Sequence, residues 1–189
     1  LICVREDHKV NNAEAENTLV AIDLERGGPG EVIASGRDFY SNPRLSPDGS
    51  QLAWVEWDHP NMPWDDTRLC AALLDADGAV ASVQQIAGDA DESVLQPLWS
   101  PDGVLYYISD RSGWWNLYRW NGTECEPIFP KEAEFAGPAW VFGLANYGFE
   151  SADSLLCVYN ETGKDCNGIQ PVISQALPMW LATQLRAEN

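Results

Sequence analysis

The sequence predicts an all-β chain that folds as a partial β-propeller of about four blades, each a four-stranded antiparallel meander. Two segments, Asn42–Gly49 and Gln96–Gly103, both have an amide residue before proline and both end in Ser-Pro-Asp-Gly. Short β-branched or aromatic runs follow both segments, as expected for strands on either side of a turn. A repeat of about 50 residues built from such strands is typical of propeller blades.

Together with the strands around these turns, the strand-like runs of the sequence fall into four groups. The first group has three runs, which correspond to the last three strands of a blade, and the next two groups have four runs each. The fourth blade is predicted to begin with an inner strand at Gly137–Phe142, where Trp140 takes the place that Trp99 has one blade earlier. The predicted blades are residues 1–36, 37–88, 89–130 and 131–165.

The strand pattern fades after Gly163. Residues 166–189 are therefore predicted to be a divergent tail. From Pro171 onward its apolar residues have a spacing that is typical of a short C-terminal helix.

The chain is strongly acidic. It has 29 acidic and 11 basic side chains and a formal net charge of −18. This charge argues against binding to a nucleic acid, which requires clusters of lysine and arginine, and against adhesion to an anionic membrane. No run approaches the roughly 18 apolar residues that a membrane-spanning helix needs.

The cysteines and histidines do not form a metal-binding pattern. The five cysteines have no Cys-x-x-Cys spacing, and His8 and His59 are the only histidines. We therefore expect no cofactor and no metal. Cys3, Cys70 and Cys157 lie in apolar runs, which predicts buried thiols in a reducing compartment and hence a cytoplasmic location.

The meander predicts where binding residues would lie. In a four-stranded blade the first and third turns lie on one face of the disc. The second loop and the links between blades lie on the other face. The tight Ser-Pro-Asp-Gly turns therefore share the first face, and the long, chemically rich loops share the second. Binding residues are usually found on such loops.

The segment Trp57–Asp66 is the most unusual of these loops, with two tryptophans, three aspartates, a histidine and two prolines. It suits either a substrate entrance or a structural plug. Asp58 and His59 are adjacent in sequence, so they do not form a catalytic pair. Arg111 is expected to pair with an internal carboxylate in preference to one on a ligand. The candidate entrance or docking residues are Trp57, Asp58, His59, Asn61, Trp64, Asp65, Arg111, Trp114, Glu132 and Glu134.

Motifs of autonomous catalysis are absent from the sequence. It has no Gly-x-Ser-x-Gly elbow, no glycine-rich phosphate loop and no His-Glu-x-x-His. We therefore predict no catalytic residue in this chain.

Several segments resemble the N-terminal propeller of prolyl oligopeptidase-family serine peptidases, in particular the dipeptidyl aminopeptidase/acylaminoacyl-peptidase branch. The most specific is Trp57–Asp65, and Asp38–Gly49, Ser109–Tyr118 and Trp140–Gly143 fit the same pattern. The likeness covers about residues 1–165. It implies a separate α/β-hydrolase domain that carries a Ser-Asp-His triad, with the propeller capping that site and admitting short peptides.

The resemblance sets the expected partners. They are the hydrolase domain of the parent protein and short peptides. The chain begins at Leu1 within an apolar run, which is typical of a fragment edge. An open propeller exposes strand edges, so edge-to-edge self-association is also expected. Two alternatives are a free-standing scaffold for protein–protein interaction and a metal-dependent lactonase, which needs a central ring of carboxylates and histidines.

Overall fold

A computed structural model describes residues 1–8, 14–88 and 91–171 of the chain. Its 14 strands form four separate antiparallel meanders, and this confirms the prediction of an all-β partial propeller. Within the described ranges, no helix is long and apolar enough to cross a membrane.

The first sheet has three strands and the second has four. In the first, β1 (Ile2–Asp7), β2 (Glu16–Ala21) and β3 (Glu31–Ala34) pair in chain order. In the second, the order is β4 (Phe39–Leu45), β5 (Gln51–Trp57), β6 (Arg68–Leu74) and β7 (Val80–Ala87).

The third sheet repeats the second, and the fourth has three strands. The third consists of β8 (Val94–Trp99), β9 (Leu105–Ser109), β10 (Asn116–Trp120) and β11 (Cys125–Pro127). The fourth consists of β12 (Tyr147–Ser151), β13 (Ser154–Glu161) and β14 (Lys164–Pro171).

The two Ser-Pro-Asp-Gly turns form as the sequence predicts. The N–H of Gly49 donates to the carbonyl of Ser46 at 2.9 Å, and the hydroxyl of Ser46 donates to the Asp48 carboxylate at 2.6 Å. Gly103 and Ser100 repeat the backbone bond at 2.9 Å. Each turn leads the inner strand of its sheet into the second strand.

Apolar clusters fill the space between successive sheets. One cluster joins the first and second sheets, one the second and third, and one the third and fourth. Along β9, Leu105 and Tyr107 enter the second cluster, whereas Tyr106 and Ile108 enter the third. Because successive side chains of a strand alternate in direction, the middle strands are buried on both faces.

The predicted inner strand at Gly137–Phe142 is wrong. The segment is irregular, Trp140 is 73% exposed, and the first strand of the fourth sheet is β12. Pro138 has no N–H to give to a ladder, and its carbonyl accepts a hydrogen bond from the N–H of Trp140 at 3.0 Å. The chain therefore turns at this point and does not extend.

The last sheet also changes the predicted boundary at residue 165. β14 runs from Lys164 to Pro171 and pairs with β13 along its whole length, so residues 166–171 belong to a strand of the propeller. The helix predicted after Pro171 lies outside the described residues.

Gly88, directly after β7, tests how closely the chain passes the start of β6. Its φ is +91°, and an added Cβ would lie 1.9 Å from the carbonyl oxygen of Thr67. We expect Gly88→Ala to lower the free energy of unfolding by about 3 kcal/mol or more, because backbone atoms would have to move.

Gly49→Ala is the matched control. Gly49 also has a positive φ, +73°, but nothing lies within 4 Å of the added Cβ. Its expected cost is about 1 kcal/mol, from the backbone conformation alone. Urea denaturation of both variants measures the difference, and equal costs would contradict the close approach at Gly88.

Candidate functional site

An open cavity of about 360 Å³ lies on the side of the long loops. Its walls come from the inner strands β4 and β8, the end of β5, the β5–β6 loop and the link between β11 and β12. The lining residues are Ser41, Asn42, Val55, Trp57, Met62, Pro63, Trp64, Leu95, Gln96, Ala139, Trp140, Val141, Phe142 and Leu144.

Aromatic side chains form much of the wall. Trp57, at the end of β5, is buried, whereas Trp64 from the β5–β6 loop packs on Trp140 with their ring centroids 4.3 Å apart. A local turn holds the loop in place, because the N–H of Met62 donates to the Asp65 carboxylate at 2.8 Å. Two segments that are far apart in sequence therefore meet at the rim of the cavity.

Two polar residues of the lining, Asn42 and Gln96, occupy equivalent positions in the second and third sheets. Asn42 and Gln96 each precede a proline, and each lies where the register of its inner strand shifts against the next strand. Both have a positive φ, 50° and 53° respectively, which is uncommon for residues other than glycine. Bulges of this kind change the direction of side chains and are frequent beside binding sites.

Gln96 fixes the end of the β11–β12 link, which forms part of the cavity wall. Its amide nitrogen donates to Oδ1 of Asn146 at 2.8 Å, and the N–H of Asn146 donates back to Oε1 of Gln96 at 2.8 Å. The hydroxyl of Tyr147 donates to the Gln96 carbonyl at 2.7 Å. These bonds attach the end of the link to β8.

A cluster of charged residues lies beside the aromatic wall. Asp58 accepts hydrogen bonds from Arg37 at 2.9 Å and from Arg68 at 3.2 Å, while Arg37 also reaches Glu56 at 3.2 Å. Partial burial opposes ionisation of Asp58. The N–H of Asp38 and the two guanidinium groups outweigh it and lower the pKa of this carboxyl. The cluster is paired internally, so it supports the loop and does not contact the cavity.

Arg111 is also paired internally, as the sequence favours. Its Nη2 lies 2.8 Å from Oε1 of Glu92, and its guanidinium lies 5.0 Å from the ring centre of Tyr118. Glu92 also accepts a bond from the N–H of Gly88 at 3.1 Å. This pair joins the third sheet to the link that precedes it.

The other predicted site residues are dispersed. His59 packs edge-on against Phe39 and lies 3.5 Å from Glu14, and Asn61 and Asp65 belong to the turns of the loop. The Glu134 carboxylate accepts a bond from the N–H of Trp115 at 2.9 Å. Trp114 and Glu132 are exposed outside the cavity.

Of the predicted candidates, Trp57 and Trp64 line the cavity. Sequence reasoning missed Asn42, Gln96 and the run Trp140–Phe142. An available signal was the position of that run between Pro138 and Gly143, which favours a loop over a strand.

The described residues contain no group of three or more histidine, cysteine, aspartate or glutamate side chains that could hold a metal ion. Burial raises the pKa of the Cys70 thiol to about 12 and that of Cys157 to about 11. Both thiols are therefore protonated at neutral pH and are poor nucleophiles.

Solved structures resemble this chain over most of its length. Against a puromycin hydrolase the TM-score is 0.82 with 31% sequence identity over 90% of the chain. Against a puromycin-hydrolysing peptidase from Mycobacterium tuberculosis the TM-score is 0.81, with 32% sequence identity over 94% of the chain. Prolyl oligopeptidase B from Galerina marginata matches with a TM-score of 0.67 at 12% identity, which shows a common fold alone. Family models and curated protein sequences give no match.

The resemblance to the propeller of prolyl oligopeptidase-family peptidases is confirmed. The chain spans 27% of the puromycin hydrolase and 29% of the mycobacterial peptidase, so it corresponds to part of such a peptidase. In this prolyl oligopeptidase-type propeller, the cavity and the charged cluster both lie at the ends of strands, where loops from different blades meet.

The charged cluster predicts how stability depends on pH. Because folding lowers the pKa of Asp58, its contribution is present above the unfolded value of about 4 and is lost as the pH falls through the lower folded value. At pH 7 we expect Asp58→Asn to lower the free energy of unfolding by about 1 kcal/mol. The difference in the free energy of unfolding between this variant and the original chain should shrink below about pH 4.

Asp77→Asn is the control for this prediction. It removes the same charge from an exposed turn, where the carboxylate accepts no hydrogen bond from the part of the chain that the structure describes. Denaturation curves between pH 3 and pH 7 compare the two variants. A loss of unfolding free energy in Asp58→Asn that is independent of pH would contradict a stabilising role for the ionised Asp58 carboxylate.

Proposed function

We propose that this chain is the non-catalytic propeller region of a prolyl oligopeptidase-like serine peptidase and that it controls the access of short peptides to a separate α/β-hydrolase domain. Its own residues bind and orient the substrate, and the chemistry belongs to the other domain. The partners are that domain and short peptides.

The observation that carries this proposal is the aromatic cavity on the loop side. Its volume of about 360 Å³ is within the range of small-molecule sites and excludes a folded protein. The two relatives at 31% and 32% identity are named for the hydrolysis of puromycin, which is a small molecule. A propeller that admits small substrates is consistent with both facts.

The cellular location is part of the same proposal. Cys3, Cys70, Cys125 and Cys157 are free thiols, which suits a reducing compartment such as the cytoplasm.

The gene that encodes the chain provides the first test. Read in frame on both sides, it is expected to specify a hydrolase domain with a Gly-x-Ser-x-Gly elbow. A gene that specifies a propeller without any hydrolase domain would contradict the proposal.

The full-length protein provides the second test. We expect Trp64→Ala to lower kcat/KM for short peptides about tenfold, because one aromatic contact with the substrate is lost. Trp114→Ala removes a tryptophan that is 40% exposed outside the cavity, so kcat/KM should change less than twofold. Steady-state kinetics on a tripeptide amide measure both variants, and equal losses would contradict a role for the cavity.

A free-standing interaction scaffold is the second candidate. The observation that favours it is the exposed run Trp140–Phe142, since large exposed apolar patches often mark protein interfaces. The gene test separates the two candidates, because a scaffold requires no hydrolase domain.

Self-association of this chain is also proposed. Each described sheet ends in strands that pair on one side only, and β1 and β14 are such edge strands in the first and the last of these sheets. Unpaired edges favour pairing with another chain. We expect the mass measured by light scattering to rise with protein concentration. A constant monomer mass up to millimolar concentration would contradict edge pairing.

A further inference from the structure

The two bulge residues of the cavity are in equivalent positions but differ in their hydrogen bonds. The amide of Gln96 makes two bonds to Asn146. In the described ranges the side chain of Asn42 has no hydrogen-bond partner, although the residue is half-buried and lines the cavity. The Asn42 amide is not among the fully buried unpaired polar groups of the described residues, so it stays accessible from the cavity and can bond to a ligand there.

The backbone of Asn42 adds a second observation. Its φ of 50° lies in the left-handed region, and the residue precedes Pro43. Non-glycine residues in sparsely populated backbone conformations are concentrated at ligand sites. At Gln96 the same conformation accompanies the bonds to Asn146, whereas at Asn42 the described residues provide no such side-chain bond.

The surroundings of Asn42 define the chemistry of a ligand. Trp57, Trp64, Trp140 and Met62 provide an apolar and aromatic wall that suits the face of an aromatic ring. A carboxamide offers both a donor and an acceptor, which matches the C=O and N–H of a peptide bond. Among the described residues, the lining consists of apolar, aromatic and uncharged polar side chains, which suits an uncharged ligand.

From this arrangement we infer that the cavity binds one aromatic residue of a short peptide, with the ring against the tryptophans and a peptide amide hydrogen-bonded to Asn42. The inference rests on the proposed function, because it names the substrate class that the propeller admits. Asn42 is thus a specificity-determining residue that belongs to the propeller and not to the hydrolase domain.

Binding to this chain tests the inference directly. The probe is N-acetyl-phenylalanine amide, and tryptophan fluorescence together with ¹H–¹⁵N NMR follows the titration. We expect saturable binding with shifts at the indole N–H signals of Trp57, Trp64 and Trp140. N-acetyl-alanine amide should bind at least tenfold more weakly, because it lacks the ring.

Asn42→Gly isolates the contribution of the amide. Glycine adopts a positive φ without cost, so the bulge is retained and the side chain alone is lost. We expect the Kd to rise about fivefold, which corresponds to the loss of one neutral hydrogen bond. Gln84→Ala removes an exposed amide from β7 of the same sheet and should leave the Kd unchanged.

The measurements test the role of Asn42, the selection of an aromatic ring and binding itself separately. Equal Kd values for Asn42→Gly and the original chain would overturn the role of Asn42, and equal binding of the phenylalanine and alanine probes would overturn aromatic selection. Absence of saturable binding would overturn the inference entirely. A hydrolase domain encoded in frame would still support the proposed function in that case, whereas tight probe binding without such a domain would leave the site intact and reject the gating role.

Discussion

The packing of each sheet against its neighbours is the constraint on which the rest of the structure depends. Along β5, Leu52 and Trp54 enter the cluster shared with the first sheet, whereas Ala53, Val55 and Trp57 enter the cluster shared with the third. A strand in the middle of such a row has to be apolar on both faces. Polar chemistry is therefore confined to strand ends, turns and links, and both the charged cluster and the cavity are found there.

The links between sheets carry the polar contacts that complement this packing. The hydroxyl of Thr67 is fully buried, accepts a bond from the N–H of Val94 at 2.6 Å and donates to the Val94 carbonyl at 3.0 Å. Glu92, which lies just before Val94 in the sequence, forms an ion pair with Arg111. Since buried polar groups are costly when unpaired, these contacts restrict how the sheets can slide past each other. A rigid frame of this kind can hold two distant loops against each other at the rim of the cavity.

Local signals made much of the fold predictable. The Ser-Pro-Asp-Gly turns, the strands around them and the division into blades depend on residues that are close in sequence, because proline and glycine set the backbone directly. The composition of the loop Trp57–Asp66 marks it as unusual, and both of its tryptophans line the cavity. The sequence does not distinguish the loop residues that are paired within the protein from those that line the cavity, since the partners of Asp58 and His59 come from other segments. The residues of the run Trp140–Phe142 favour strands, so the sequence predicts a strand there, whereas Pro138 and the contact with Trp64 place the run in a loop.

The class of fold and the positions of the turns follow from local backbone preferences, and short patterns are enough to show that known catalytic motifs are absent from the sequence. Which polar side chains are hydrogen-bonded and which remain accessible depends on how the sheets pack. Asn42 and Gln96 occupy the same place in two repeats and look alike in sequence, yet in the described structure Asn146 bonds to the side chain of Gln96 and not to that of Asn42. That difference arises from a contact between segments about fifty residues apart, and such a contact exists only once the sheets have packed.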